Sequence, residues 1–157
     1  MNDASHDFDF RPGRWHIDNE RLLERLKGCT TWEHFPASSN AWMILGGMGN
    51  MDDFVTETWR PGFIGMSLRL FNPATQLWSI YWMSNQTGKL EPPVVGGFKD
   101  GIGIFEGDDM LEGKPIRLRF TWSGITEKSA LWEQAFSDDG GQTWEKNWIM
   151  RMTRITE

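Results

Sequence analysis

Hydrophobic and polar positions alternate along several stretches of the chain. Over residues 65–71, Met66, Leu68 and Leu70 fall on one face, and Ser67, Arg69 and Phe71 on the other. Over residues 77–83, Trp78, Ile80 and Trp82 oppose Ser79, Tyr81 and Met83. Over residues 115–122, Ile116, Leu118, Phe120 and Trp122 oppose Arg117, Arg119 and Thr121. A period of two marks antiparallel strands with two unlike faces. Further strand-like runs are residues 15–26, 30–35, 41–45, 54–59, 94–98, 102–106, 130–136 and 143–155. Turn formers separate them: Pro36-Ala37-Ser38-Ser39-Asn40, the GGMGNMDD run from Gly46, Asn72-Pro73-Ala74-Thr75 and Lys99-Asp100-Gly101. The one helix candidate, ERLLERLK over residues 20–27, has no clean cap and continues a β-like run, so it reads as strand. About ten sequential strands in one small domain must close on themselves to avoid open edges, and an up-and-down antiparallel β-barrel does so economically.

The length of 157 residues suits a single domain with a real core. Residues 1–12 read as an N-terminal arm and 13–157 as the barrel. Ten Trp, ten Phe and nine Met stand beside a single Tyr, more indole than a small core needs, and large rings packed together leave gaps. The composition therefore favours an interior cavity. A net charge of −6 argues against nucleic acid as a partner. Cys29, the single cysteine, excludes an intrachain disulfide and a thiolate zinc cluster. The longest apolar run, AWMILGGMG, is too short to span a bilayer, and MNDASHDFDF has no apolar signal core. The expectation is a cytoplasmic protein that has no membrane partner.

Ser137, Asp139, Gly141, Thr143 and Trp144 spell Ser-x-Asp-x-Gly-x-Thr-Trp, the aspartate box of sialidase-type propellers. A propeller repeats its blades every ~40–50 residues, and this chain has one copy and no internal period. The box therefore reads as a hairpin: Ser137 and Asp139 bond turn amides, and Trp144 covers the turn.

Gly13-Arg14-Trp15 opens the first strand, and a Gly-x-Trp there resembles the signature of lipocalins and the wider calycin group. Over almost its whole length the chain is also similar to an uncharacterised family of bacterial lipocalin-like proteins. The stretches that carry this are HDFDFRPGRW, LGGMGNMDD, RLFNPATQLWSIYW, PPVVGGF and FSDDGGQTWEKNW. The resemblance implies a calycin-type barrel of about ten strands with a cavity, and homodimer formation. It also implies that an Arg of the last strand, Arg151 or Arg154, packs across Trp15 at the closed end. Gly13, Trp15, Arg151 and Arg154 are thus structural candidates.

Candidate chemistry is sparse. LGGMGNMDDF lacks the helix and the Lys-Ser or Lys-Thr pair of a phosphate loop and reads as a hairpin, with Asn50 and Asp52 at a barrel mouth in reach of ligand. The acidic pairs at Asp52-Asp53, Glu106 to Asp109 and Asp138-Asp139 read as turn residues. His6, His16 and His34 have no spacing that guarantees convergence, although His16 and His34 can face each other in one register; no metal is expected. Haem-binding barrels resembling nitrobindins draw their iron ligand from late in the chain, and no His follows His34 here.

Among the arginines predicted in strands, one inside the barrel needs a partner. Small barrels that bind fatty acids place an Arg and a Tyr inside for the ligand carboxylate. Arg69 and Tyr81 are the candidates, with Glu133 an alternative ion-pair partner for an inward Arg. Trp82 and Trp132 are expected to line the pocket. The leading expectation is non-covalent binding of a small apolar or amphipathic molecule, with no cofactor. A barrel enzyme of hydrolase or isomerase type, using Asp52, Glu133 or His34 as acid or base, is the second, with no catalytic set identified. A filled, purely structural or dimerising domain is the third.

Overall fold

The computed structural model describes residues 3–156 of the chain. Ten antiparallel strands form one closed barrel, each hydrogen-bonded to its sequence neighbours and the last to the first. They are β1 (Gly13–Leu22), β2 (Trp32–Ile44), β3 (Gly49–Val55), β4 (Ile64–Asn72), β5 (Leu77–Ser84), β6 (Val94–Lys99), β7 (Ile102–Leu111), β8 (Lys114–Ser123), β9 (Ser129–Ser137) and β10 (Glu145–Arg154). The up-and-down barrel expected from the alternation is the observed fold. Among the described residues, no helix is long and apolar enough to cross a membrane.

Closure runs through β1 and β10, where Trp15 pairs with Arg154 and Ile17 with Met152. Of the two arginines considered for the Trp15 face, Arg154 takes it: its guanidinium lies 4.4 Å from the indole centroid. Its Nη1 donates to Pro12 O at 2.6 Å, its Nε to Glu127 O at 2.8 Å and its Nη2 to Phe10 O. Gly13 sits at φ +122, and a Cβ there would stand 2.5 Å from Arg154 Nη1. The glycine of Gly-x-Trp is thus the gap through which the last strand's Arg reaches the first strand. Arg151 points outward to Glu20 at 3.2 Å.

Three local expectations change. The break placed at residues 36–40 does not exist, for β2 runs unbroken from Trp32 to Ile44. Phe35, Ala37, Ser39 and Ala41 alternate inward along it, and β3 ends opposite Ser38, leaving Pro36 with β1 as its strand neighbour. An edge-like position is where a strand tolerates proline. The first strand ends at Leu22 rather than residue 26, and Leu26 adopts φ 58 in the following turn. The turn before β3 ends at Met48, so the strand starts at Gly49, earlier than expected.

Two aromatic clusters fill the ends of the barrel. The segment before Gly13 folds under one end, where Phe8 is fully buried against Trp78, Phe98 and Phe105, with ring centroids 5.1–5.7 Å apart. At the other end Trp59 stacks on Phe35 at 4.7 Å and meets Trp148 edge-on at 5.5 Å. Arg21 packs on the Trp59 and Trp148 rings and donates to Glu33 at 3.3 Å; burial pushes its guanidinium down to about 10. Gly65 makes room in this region, since a Cβ there would meet the Trp82 ring at 2.1 Å.

Candidate functional site

A cavity of about 150 Å³ lies between the two aromatic clusters. Its apolar wall comes from inward positions of β5, β8, β9 and β10, including Trp82, Phe120, Trp122, Trp132 and Met150. Its polar wall comes from β2, β3, β4 and the N-terminal segment: Ser39, Asp52, Ser67, Arg69 and Arg11. Exposed Pro92 and half-buried Glu91 and Asp109 mark where the cavity meets the surface. The wall is thin there because β5 and β6 share three register pairs, Trp78 to Ile80 with Val94 to Gly96.

The polar wall arises from an inversion in β4. Gly65, Ser67, Arg69 and Phe71 are its buried positions, and Met66, Leu68 and Leu70 face outward, half-buried. On β3 the buried set is Asn50, Asp52 and Phe54. Register places Asn50 opposite Arg69 and Asp52 opposite Ser67, so cross-strand neighbours build the network directly.

Asp52 Oδ2 receives Arg69 Nη1 at 2.7 Å and Arg11 Nη2 at 3.1 Å. Its Oδ1 accepts the Ser67 N–H at 3.2 Å. Arg69 Nη1 also donates to Asn50 Oδ1 at 2.9 Å, and Arg11 Nη2 to Ser39 Oγ at 2.7 Å. Burial alone pushes the Asp52 carboxyl up, but Arg69 and Arg11 outweigh it and hold the group below its ordinary value. Burial pushes the Arg11 guanidinium down to about 10; Asp52 opposes the shift and Arg69 adds to it. Two guanidiniums share one carboxylate, which leaves an excess positive charge within this trio. Among the described residues, Arg11 Nε and Nη1, Arg69 Nε and Trp122 Nε1 are buried without a protein acceptor. The Trp122 ring lies 5.9 Å from the Arg11 guanidinium and 5.6 Å from that of Arg69.

The structure brings together four of the seven residues expected at a ligand site in one cavity lining: Arg69, Asp52, Trp82 and Trp132. Asn50 stands behind Arg69 as its fully buried acceptor. Tyr81 falls outside the lining: it alternates with inward Ile80 and Trp82 and pairs with outward Leu68. Glu133 likewise alternates with inward Trp132 and pairs with Lys146 on the outer face. Asn50 and Asp52 lie within a strand and point inward, not at a mouth turn, and Glu106 to Asp109 belong to β7; both acidic runs are strand positions, contrary to the turn reading.

Among the described residues, no histidine lines the cavity. His16 pairs with Ser38, and His34 with Glu20, so the two do not face each other. Asp52 is ionised at neutral pH by its two cations, the opposite of the tuning that proton transfer near neutrality requires. The aspartate box is a turn, as its composition indicates. Ser137 Oγ donates to Asp139 Oδ1 at 2.7 Å, and Asp139 accepts from the Gln142 and Thr143 amides. The Thr143 hydroxyl and amide hold the Asp139 carboxyl well below the usual range.

Arg11 is the functional candidate that sequence reasoning missed. It lies in the segment set aside as an arm, which forms turns rather than a strand and so carried no alternation to mark Arg11 as inward. Ser39 was missed because it was assigned to a loop. No family model matches the chain, and no curated protein does. The closed barrel with its half-aromatic, half-cationic interior is therefore the ground for a functional reading.

Proposed function

We propose that the protein binds a small apolar or amphipathic molecule non-covalently inside its barrel. One observation carries the reading: the interior has free space next to Trp82, Trp122 and Trp132 instead of a sealed plug of rings. A cavity near 150 Å³ has room for one benzene-sized ring. This is less than the several hundred Å³ usual for drug-sized ligands, so a larger ligand extends past Glu91 and Pro92. Affinity comes from apolar area removed from water, at about 25 cal/mol per Å² before ordering costs.

Toluene, followed by ligand-observed NMR and by indole fluorescence, tests this directly. The expected result is saturable binding that Met150→Trp abolishes, because Met150 lines the cavity and the larger ring fills it. Absence of binding, or equal binding by the filled variant, overturns the reading.

A further inference from the structure

We propose that the deep end of the cavity receives the carboxylate of a singly charged ligand, whose apolar body lies against Trp82, Trp132 and Phe120. This rests on the barrel being a ligand site, and it assigns that site's ligand class. Arg11 and Arg69 are 3% and 4% exposed, and among the described residues Asp52 alone bridges them. A buried charge is tolerated when it is paired, and here two cations have one anion between them. Among the described residues, seven buried side-chain N–H groups lack a protein acceptor, and the four on cavity-lining residues are Arg11 Nε and Nη1, Arg69 Nε and Trp122 Nε1; the others belong to Arg21, Asn50 and Asn147. Guanidinium and indole nitrogens only donate. Their complement is a group that only accepts and carries one negative charge. A carboxylate has two oxygens that accept charge-assisted bonds from separate guanidinium N–H groups and a further bond from an indole N–H.

The other charged lining residues fix the orientation. Asp53 keeps its charge but alternates with inward Asp52 and Phe54, and on the outer face of β3 it accepts the Asn40 amide at 2.7 Å. Glu91 and Asp109 lie at the surface end. Asp109 is four residues along β7 from Phe105, about 13 Å at strand rise, and the Phe105 ring touches Phe8 beneath Arg69. An anionic head is repelled by the rim and attracted to the base. A dianion would bring a second charge with no cation to meet it.

Benzoate, benzamide and benzamidinium share one planar shape and carry charges of −1, 0 and +1. Their affinities for the intact protein, measured by titration calorimetry alongside toluene, test the proposal. Benzoate is expected to exceed benzamide by about ten- to a hundredfold, as one or two charge-assisted hydrogen bonds allow. Benzamidinium is expected to bind weakest. Arg11→Met is expected to erase the preference for benzoate. Trp122→Phe, a milder change that removes the indole N–H, is expected to weaken benzoate several-fold more than it weakens toluene. Equal binding of benzoate and benzamide, a preference for benzamidinium, or a benzoate preference that survives both variants overturns the carboxylate assignment, while toluene binding keeps the cavity reading intact. Failure of all three probes and of toluene overturns both.

Discussion

Replacing Asp52 by Asn removes one charge and almost no volume, so its effect isolates the buried electrostatics. In the wild-type barrel Asp52 is 3% exposed and contacts Arg69 at 2.7 Å, Arg11 at 3.1 Å and the Ser67 N–H at 3.2 Å. Asp52→Asn leaves two buried guanidiniums side by side with no counter-charge. Removing one partner of a buried ion pair costs about 3–5 kcal/mol. Against a total stability of about 5–15 kcal/mol, that is a large share. For a domain of this size it corresponds to a Tm lowered by roughly 6–20 °C.

Arg69→Met is the matched control. It leaves Arg11 and Asp52 as a neutral pair and loses the bonds to Asp52 and Asn50, at a cost of about 1–3 kcal/mol. Urea unfolding followed by Trp fluorescence measures both variants. The order expected is Asp52→Asn clearly less stable than Arg69→Met. If Arg69→Met costs as much or more, the excess-charge reasoning is wrong.

The remaining expectations concern the closure, the acid limb and the turn. Arg154→Met removes the guanidinium over Trp15 and its bonds to three carbonyls; a loss of about 2–4 kcal/mol is expected in denaturant unfolding. Gly13→Ala strains φ +122 and displaces the same guanidinium, so its cost and that of Arg154→Met are expected to be less than additive in the double variant. The Asp52 carboxyl is held below its ordinary value of 3.8, so its contribution is complete above that pH and lost as pH falls through the lower folded value. The urea midpoint of the wild type is therefore expected to fall more steeply below about pH 4 than that of Asp52→Asn. Asp139→Ala removes the acceptor of the Gln142 and Thr143 amides, and hydrogen exchange at both is expected to accelerate while the barrel strands stay protected.

The alternation in β5 and β8 could be read directly because their inward positions are large and apolar. β4 shows the limit of that reading. Its two faces were visible in the sequence, but its more apolar one, Met66, Leu68 and Leu70, turns outward, and Ser67 and Arg69 turn in. What decides this is the acidic neighbour on β3, and register between strands is not written in either strand alone. The same blindness placed Tyr81 beside Arg69 as a ligand group, although Tyr81 follows Leu68 on the outer face. Pro36 and the serines after it carried a turn composition, and the burial of Phe35, Ala37 and Ser39 overrode it. Asp52 was read as a turn residue because it sits beside Gly-rich sequence. Its two arginine partners come from 41 residues before it and 17 after, pairings that local composition does not encode. The Gly-x-Trp motif, in contrast, contains its own geometry: a glycine that admits the arginine and an indole that receives it.

Native mass spectrometry of protein purified gently from its own cells tests the central claim most directly. The expected result is a protein ion carrying one small organic acid, released on denaturation and absent from Met150→Trp. A bare protein ion of the sequence mass, together with an interior that takes up neither toluene nor benzoate, would contradict it.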